Sequence, residues 1–589
     1  MPGFSYAYLQ LLFKILARQT GQISKVEFVP QKPHYRNLAE RQPFPRATPE
    51  SQGVSSLHLK EYLEALADDG EANPHHAIVI RHGKIIAECS YAPYENGMWH
   101  ITHSMCKSVT GMAVGFAIEE GLLTLDEKIG DIFPQYVKLL ARLSRKDVTI
   151  ENLLDMTSGV SFTESGAITG NDWRTGFMSS SFRSEPGTKF EYNSMNSYML
   201  SAAIQEKTGM TMFDYLKPRL FDPLGIDEVF WERCPQGITK GGWGMFIRPE
   251  DACKLGQLYL DGGRWKGKQI LPTSWVKAST SPHVDNGKFG YGYQIWMEER
   301  PGGFAFNGLF GQDVVCYPDL DMIVMINAGN REMTQSGSLT EIMRRFFGIN
   351  YHPSDEPLPE DPEGQKALAE CIRSFGAGHP AAVRTFRERL GLSGAEACAI
   401  TPGELAGALK GRVYEMDKCQ VGLFPLICQV MHNNFTDGIS RIGFDEMDGH
   451  LFLQLYEGPE IHHIRVGFDR PEKSEILLHG EPYYVGTLGR VATDEDERAV
   501  LVLNISFIEE ACSRELRLYF HDDEIELRAD ETPGNAVIED VLTYTAEPGD
   551  LLKLPFGRAL MESGGMDLMQ IAVQSAIHPT VHGHRVKSL

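Results

Sequence analysis

A serine and a lysine three residues apart open the stretch HSMCKSVTGMAVGFAIEEGLLTLDEKI, as Ser104 and Lys107. A hydroxyl is a weak nucleophile until a base takes its proton, and an amine can serve where burial favours its neutral form. The spacing matters because residues three apart on a helix share a face, one turn from each other. Behind the pair, Val109, Met112, Ala113, Phe116 and Ala117 recur at steps of three and one, which predicts a buried helix starting near Ser104. A serine at such a start lies in the positive end of the helix dipole, and the free N–H groups there can hold an oxyanion. The other use of the same two residues is a helix cap followed by a solvated lysine. Spacing alone does not separate the two. A chain of this length carries a Ser-x-x-Lys on the order of once or twice from ordinary usage, and Ser274–Lys277 in SWVK is a second copy.

The elements that must position such a pair are legible in outline. Between residues 45 and 350 helical patterns alternate with short strand-like runs. HAIVIRHGKIIAECS reads as a hairpin turning at its His-Gly, and DMIVMINAGN as a further strand. A helix near Ser336–Phe347 should pack back on the sheet. YHPSDEPLPEDPEG, Tyr351 to Gly364, is rich in proline and acid and reads as a linker, followed by a helical piece from Gln365 to Leu390. Beyond residue 403 the period becomes two. In ELRLYFHDDEIELRADE, Leu516, Leu518 and Phe520 fall on one side before a turn at His521–Asp523, and HLFLQLYEG, SEILLHG and VLVLNISF behave alike. The expected organisation is an N-terminal arm over 1–44, a main domain over 45–350, a linker with a short helical segment over 351–402, and a β-rich accessory domain over 403–589, built as a sandwich or barrel.

Six stretches carry a resemblance when taken in order. They are the Ser104 stretch, TIENLLDMTSGVSF, EPGTKFEYNSMNSYMLSAAIQEKTGMTMFDYLKPRLFDPLGI, GRWKGKQILPTSWVKAST, GYGYQIW and FNGLFGQDVVCYPDLDMIVMINAGN. Together they resemble the serine β-lactamase and penicillin-binding-protein superfamily, in its class C-like esterase and peptidase branch, over roughly residues 45–350. The resemblance implies an α/β (α+β) β-lactamase/transpeptidase-like fold: an antiparallel sheet flanked by helices plus a helical subdomain, with the C-terminal part resembling lipocalin-like or sandwich modules. It implies Ser104 as the acylated nucleophile, Lys107 as its activator, and Tyr192 in FEYNS as the partner base and acid. Ser194 stands where the family usually has asparagine. Phe306–Asn307–Gly308 stands where the family has Lys-Thr-Gly or His-x-Gly, so Gly308 keeps the close backbone approach, the Leu309 N–H becomes an oxyanion donor beside that of Ser104, and the cation for a substrate carboxylate is missing. The resemblance thus implies a serine hydrolase acting on a neutral ester, amide or short peptide. Two alternatives stay open: a catalytically silent ligand-binding protein on the same fold, and a true β-lactamase or D-amino-acid peptidase.

Other signals are weaker. GGRWKGKQ at Gly262–Gln269 nearly fits a phosphate loop but ends in Gln269, so a hairpin turn is expected. His462–His463 and the tail HPTVHGHRV read as exposed, unliganded histidines, and His103 as packing or site rim. No metal and no cofactor is expected. Ten cysteines without a Cys-x-x-Cys pair, and no basic leader before the apolar stretch of MPGFSYAYLQLLFKILARQTG, predict reduced thiols and a cytoplasmic protein whose N-terminus is an amphipathic arm. A net charge of −23 argues against nucleic acid as a partner, and no segment predicts stable membrane insertion. A homo-oligomer is compatible with the sequence but not demanded by it.

Overall fold

The computed structural model describes residues 26–136, 147–331, 337–377, 400–419, 421–496, 498–534 and 578–586. Of the expected arm over residues 1–44, residues 1–25 lie outside them, as does the part of the expected helical piece beyond residue 377. The main body is built on a six-stranded antiparallel sheet. In spatial order its strands are Lys84–Ser90, Pro74–Arg81, Met322–Ala328, Gln312–Tyr317, Phe304–Gly308 and Trp296–Met297. Helices cover both faces, so the central strands are buried on both sides and read as continuous apolar runs (AIVI, MIVMI) rather than as alternation. The His-Gly turn is as expected: His82 and Gly83 both take positive φ, the geometry of a two-residue hairpin loop. Lys266 and Gly267 do the same between Arg264–Trp265 and Lys268–Gln269, so the near-phosphate loop is a hairpin.

One face of the sheet packs on the helices Ser56–Asp68, Ser338–Phe347 and Pro362–Gly376. The other packs on Cys106–Glu119 and Pro249–Leu260, and through them on a helical subdomain that includes Ser194–Thr208. The segment after residue 350 crosses the surface pinned by a buried guanidinium, since Arg81 donates to the carbonyls of Gln52 and Ser354 at 2.7 and 2.8 Å. No helix among the described residues is long and apolar enough to cross a membrane.

Among the described residues the C-terminal part forms a single ten-stranded antiparallel sheet. Its alternation is clean in His450–Glu457, whose every second side chain is buried. Two edges of this sheet meet where Gly467, just past the strand Glu460–Val466, exchanges backbone hydrogen bonds with Thr487 and Gly489 of the strand Glu481–Thr493. The result is a near-barrel around one apolar core, not a two-sheet sandwich. The same alternation corrects the reading of His462. It shares a face with Ile464 and Val466, so it is buried beside Glu457 rather than exposed.

Barrel and body meet through buried charge. His432, ending the helix Leu426–His432, lies 2.8 Å from Glu232 and 3.2 Å from Glu510, and the second Glu232 oxygen lies 2.7 Å from Lys240. Burial alone would lower the His432 pKa, but the two carboxylates outweigh it and hold the imidazolium up to about 10. Burial would raise Glu232, yet Lys240 and His432 bring it down to about 2; Glu510 runs the other way, raised chiefly by burial. The signs fix the pH window. The His432 contribution to stability is present below its ordinary 6.5 and is lost as pH rises toward about 10; that of Glu232 is present above its ordinary 4.5 and is lost as pH falls toward about 2. The melting-temperature gap between wild type and His432→Gln should therefore be widest between these ordinary values and narrow on either side. A gap that stays constant from about pH 5 to about pH 9 would mean that His432 is not held protonated.

Candidate active site

Ser104 sits in a 3₁₀ turn, His103–Met105, directly before the helix Cys106–Glu119. The turn that carries Ser104 thus precedes the α-helix instead of forming its first turn. His103 takes a left-handed φ of +43°, an unusual conformation for a side-chain-bearing residue, next to the half-buried Ser104. Lys107 is buried, and its Nζ donates to Ser104 Oγ at 2.8 Å and to the carbonyl of Gly242 at 2.7 Å. The decoy pair falls on the short helix Thr273–Ser279, where Ser274 and Lys277 are both exposed.

The Gly242 carbonyl has no counterpart in the sequence reading. It belongs to a glycine-rich turn wedged against the helix Ser194–Thr208: a Cβ at Gly241 would lie 2.7 Å from the Ser197 carbonyl, and one at Gly242 would lie 2.9 Å from that of Ser194. Only glycine lets the backbone come so close. The Gly241 carbonyl accepts from Thr110, so two successive carbonyls grip the helix Cys106–Glu119. Gln294 holds the helix from the other side. Its carbonyl accepts from Ser108, and its side chain accepts from Ser197 and donates to the carbonyls of Leu153 and Leu154.

Tyr192 precedes the helix Ser194–Thr208, and its ring centroid lies 5.0 Å from Lys107 Nζ, with the side chain 39% exposed. Trp296 packs against it at 5.3 Å, so an aromatic wall faces the amine. Asn193 is the cap of that helix, accepting from Met195 N and donating to the carbonyls of Val160 and Phe162. Ser194 is buried and gives its backbone N–H to Glu164; among the described residues its hydroxyl makes no hydrogen bond to Lys107. The structure thus brings Ser194 beside the Gly242 turn but not into a bond with the amine.

Gly308 ends the strand Phe304–Gly308 against the Ser104 turn. A Cβ there would stand 2.3 Å from the Thr102 carbonyl and 3.0 Å from Met105 N. This contact brings the end of the strand against the turn that carries Ser104. Phe306 is fully buried, edge-on to Tyr259 at 5.2 Å, so core packing fills the position that the resemblance assigns to a cation. Asn307 faces the opposite side and donates to Asp313, whose carboxyl burial pushes up to about 7. His103 is held down to about 3 by burial and by the nearby His432, His100 and Lys107. Its ring packs edge-on against Phe310, and no hydrogen bond ties it to Ser104 among the described residues. Those residues hold no group of three His, Cys, Asp or Glu side chains able to take a metal ion.

The Beta-lactamase family model matches residues 60–337. The chain is 28% identical over 358 residues to penicillin-binding protein 4 of Amycolatopsis lactamdurans, covering 52% of this chain and 91% of that one. It is 24% identical over 284 residues to a 6-aminohexanoate-dimer hydrolase of Paenarthrobacter ureafaciens, covering 42% and 70% respectively. Among solved structures, a penicillin-binding protein from Bacillus halodurans aligns at 19% identity with a TM-score of 0.38, over 49% of this chain and 98% of the other.

The contact at Gly308 is testable. Gly308→Ala must push the strand off the Ser104 turn, so the melting temperature should fall and, in the protein that stays folded, kcat/KM on p-nitrophenyl acetate should fall by roughly 10²-fold. Unchanged kcat/KM in a folded variant would show that the strand does not need this approach.

Proposed function

We propose that this chain, whose residues 60–337 belong to the serine β-lactamase and penicillin-binding-protein superfamily, hydrolyses a neutral ester or amide through an acyl-enzyme on Ser104. Membership places it among serine hydrolases; the bond cleaved and the steps that cleave it are our reading. The observation that carries the reading is the buried Lys107 amine, 2.8 Å from Ser104 Oγ and fixed by the Gly242 carbonyl. A neutral amine has two N–H groups and one lone pair. With one N–H on Gly242 O, the lone pair can face the serine proton.

In this scheme Lys107 takes the proton from Ser104 as Oγ attacks the substrate carbonyl carbon. The oxyanion forms between the N–H groups of Ser104 and Leu309. Tyr192, whose ring packs near the Lys107 ammonium, passes a proton to the leaving group, whose bond to the acyl carbon breaks. Water then attacks the acyl carbon with the same groups acting in reverse, releasing the acid and free Ser104. Ser194 supports the wall of the cleft through its backbone.

The relatives bear names with different ligands, a 6-aminohexanoate dimer that one hydrolyses and penicillin that the other binds. Phe306 favours a substrate without a carboxylate at the corresponding position, because a buried phenyl ring gives a carboxylate no partner. Location in the cytoplasm accords with such a substrate and is part of this proposal.

A fluorophosphonate probe should label Ser104, as read by peptide mapping. Ser104→Ala should reduce p-nitrophenyl acetate hydrolysis to the buffer rate, and Lys107→Met should lower kcat by roughly 10²–10⁴-fold. Equal rates in wild type and Ser104→Ala would favour a silent binding protein. Among short esters and peptides, methylating a substrate carboxylate should leave kcat/KM equal or higher; a fall of about tenfold or more on methylation would mean that a cation serves the site after all.

A further inference from the structure

Three features of the site are held from outside the main body. The strand leading into Ser104 is the first: Ile101 donates its N–H to the Glu509 carbonyl at 2.8 Å, and the Trp99 indole donates to the Glu509 carboxylate. The turn that grips Lys107 is the second. Lys240 Nζ and Trp243 Nε1, on either side of Gly241–Gly242, both donate to the Met431 carbonyl, at 3.1 and 3.3 Å. Met431 lies in the last turn of the helix Leu426–His432, where carbonyls lack partners within the helix and attract cations. The oxyanion hairpin is the third, since Phe310 shares a buried apolar cluster with Ile508 and Ala511, and Leu309 packs against it.

A domain attached for a separate purpose would meet its neighbour through solvated surface. Here the junction is buried and charged: Glu232, Lys240, His432 and Glu510 are all shielded from the surface, and they form a continuous chain of contacts from the barrel to the turn. Two positive and two negative groups balance when all four are ionised. Glu232 is also wedged under the turn, because a Cβ at Gly244 would lie 2.3 Å from its carboxylate.

We propose that the C-terminal barrel completes the active site, with His432 and the Met431 carbonyl as positioning groups that hold the Lys240–Trp243 turn, and through it Lys107, in register with Ser104. The proposal rests on the Ser104 acyl-enzyme reading. His432 bonds Glu232, Glu232 bonds Lys240, Lys240 and Trp243 bracket Gly242, and the Gly242 carbonyl fixes the amine. None of the first three touches a reacting atom. Their effect is geometric, and displacements of about 1 Å at a catalytic group cost up to roughly 10²-fold in rate.

The test uses full-length protein with p-nitrophenyl acetate, and it begins with Ser104→Ala. If that variant matches wild type, the acyl-enzyme reading fails and the barrel is not at issue. If wild type is active and Ser104→Ala is not, His432→Gln decides. It should fold, keep KM within about twofold and lose about tenfold or more in kcat. A folded His432→Gln with wild-type kcat would overturn the proposal. Should it not fold, Lys240→Met cuts the chain on the other side and is judged by the same loss of kcat at constant KM; wild-type kcat there overturns the proposal equally.

Discussion

The Lys107 side chain sets the terms for the rest of the molecule. A buried amine needs its hydrogen-bonding capacity met, and here one partner is the Ser104 hydroxyl and the other a main-chain carbonyl. Each partner constrains the fold differently. The hydroxyl comes from the same helical segment, so three-residue spacing delivers it automatically. The carbonyl comes from a turn 135 residues away. It arrives only because Gly241 and Gly242 let the backbone lie against the helix Ser194–Thr208. The helix carrying Tyr192 at its entrance is therefore also the surface that sets the height of the carbonyl. Ser104, Lys107 and Tyr192 are positioned by one packing event.

What could be read in advance follows from this division. Local geometry was legible: the hairpins at His82–Gly83 and Lys266–Gly267, the buried helix after Ser104, and the alternation of His450–Glu457 all depend on neighbours in sequence. The Ser274–Lys277 pair separates from Ser104–Lys107 for the same reason, since no apolar stripe buries it. The Gly242 carbonyl was not legible, because every residue has a carbonyl and residue type says nothing about which one will be aimed. The only signal was the run of Gly241, Gly242 and Gly244 in KGGWGM, a hint of close approach without a partner. Barrel against sandwich was equally hidden. It turns on whether Gly467 reaches Thr487 and Gly489, a question of edges meeting. His462 was misread because its face depends on the phase of the strand, and a one-residue shift inverts it.

Asn193 and Ser194 illustrate how a motif can keep its place while its side chains change work. Asparagine here is spent on capping the helix and clipping the 160–162 segment, while the serine offers its backbone to Glu164. The local fold around Tyr192 thereby becomes independent of any side chain reaching the amine. That leaves Gly242 as the group that orients Lys107, and it explains why the turn must be held so firmly from behind.

The choice of charge for that task has a physical logic. Buried ion pairs are weak evidence for stability, since desolvation offsets most of their attraction, and an apolar contact of the same shape would often serve as well. They differ in how they treat error. The apolar cluster around Phe310, Ile508 and Ala511 would tolerate a slide of barrel against body at little expense. The chain Lys240–Glu232–His432–Glu510 would not, because any slipped arrangement leaves a charge buried without its partner, at about 3–5 kcal/mol for each broken pair. Hydrophobic burial holds the barrel against the body, and the charges restrict it to one register. That register places the Met431 carbonyl between Lys240 and Trp243, and an amine that must be held to a fraction of an ångström in the proposed mechanism gains from a junction that punishes slippage more than separation.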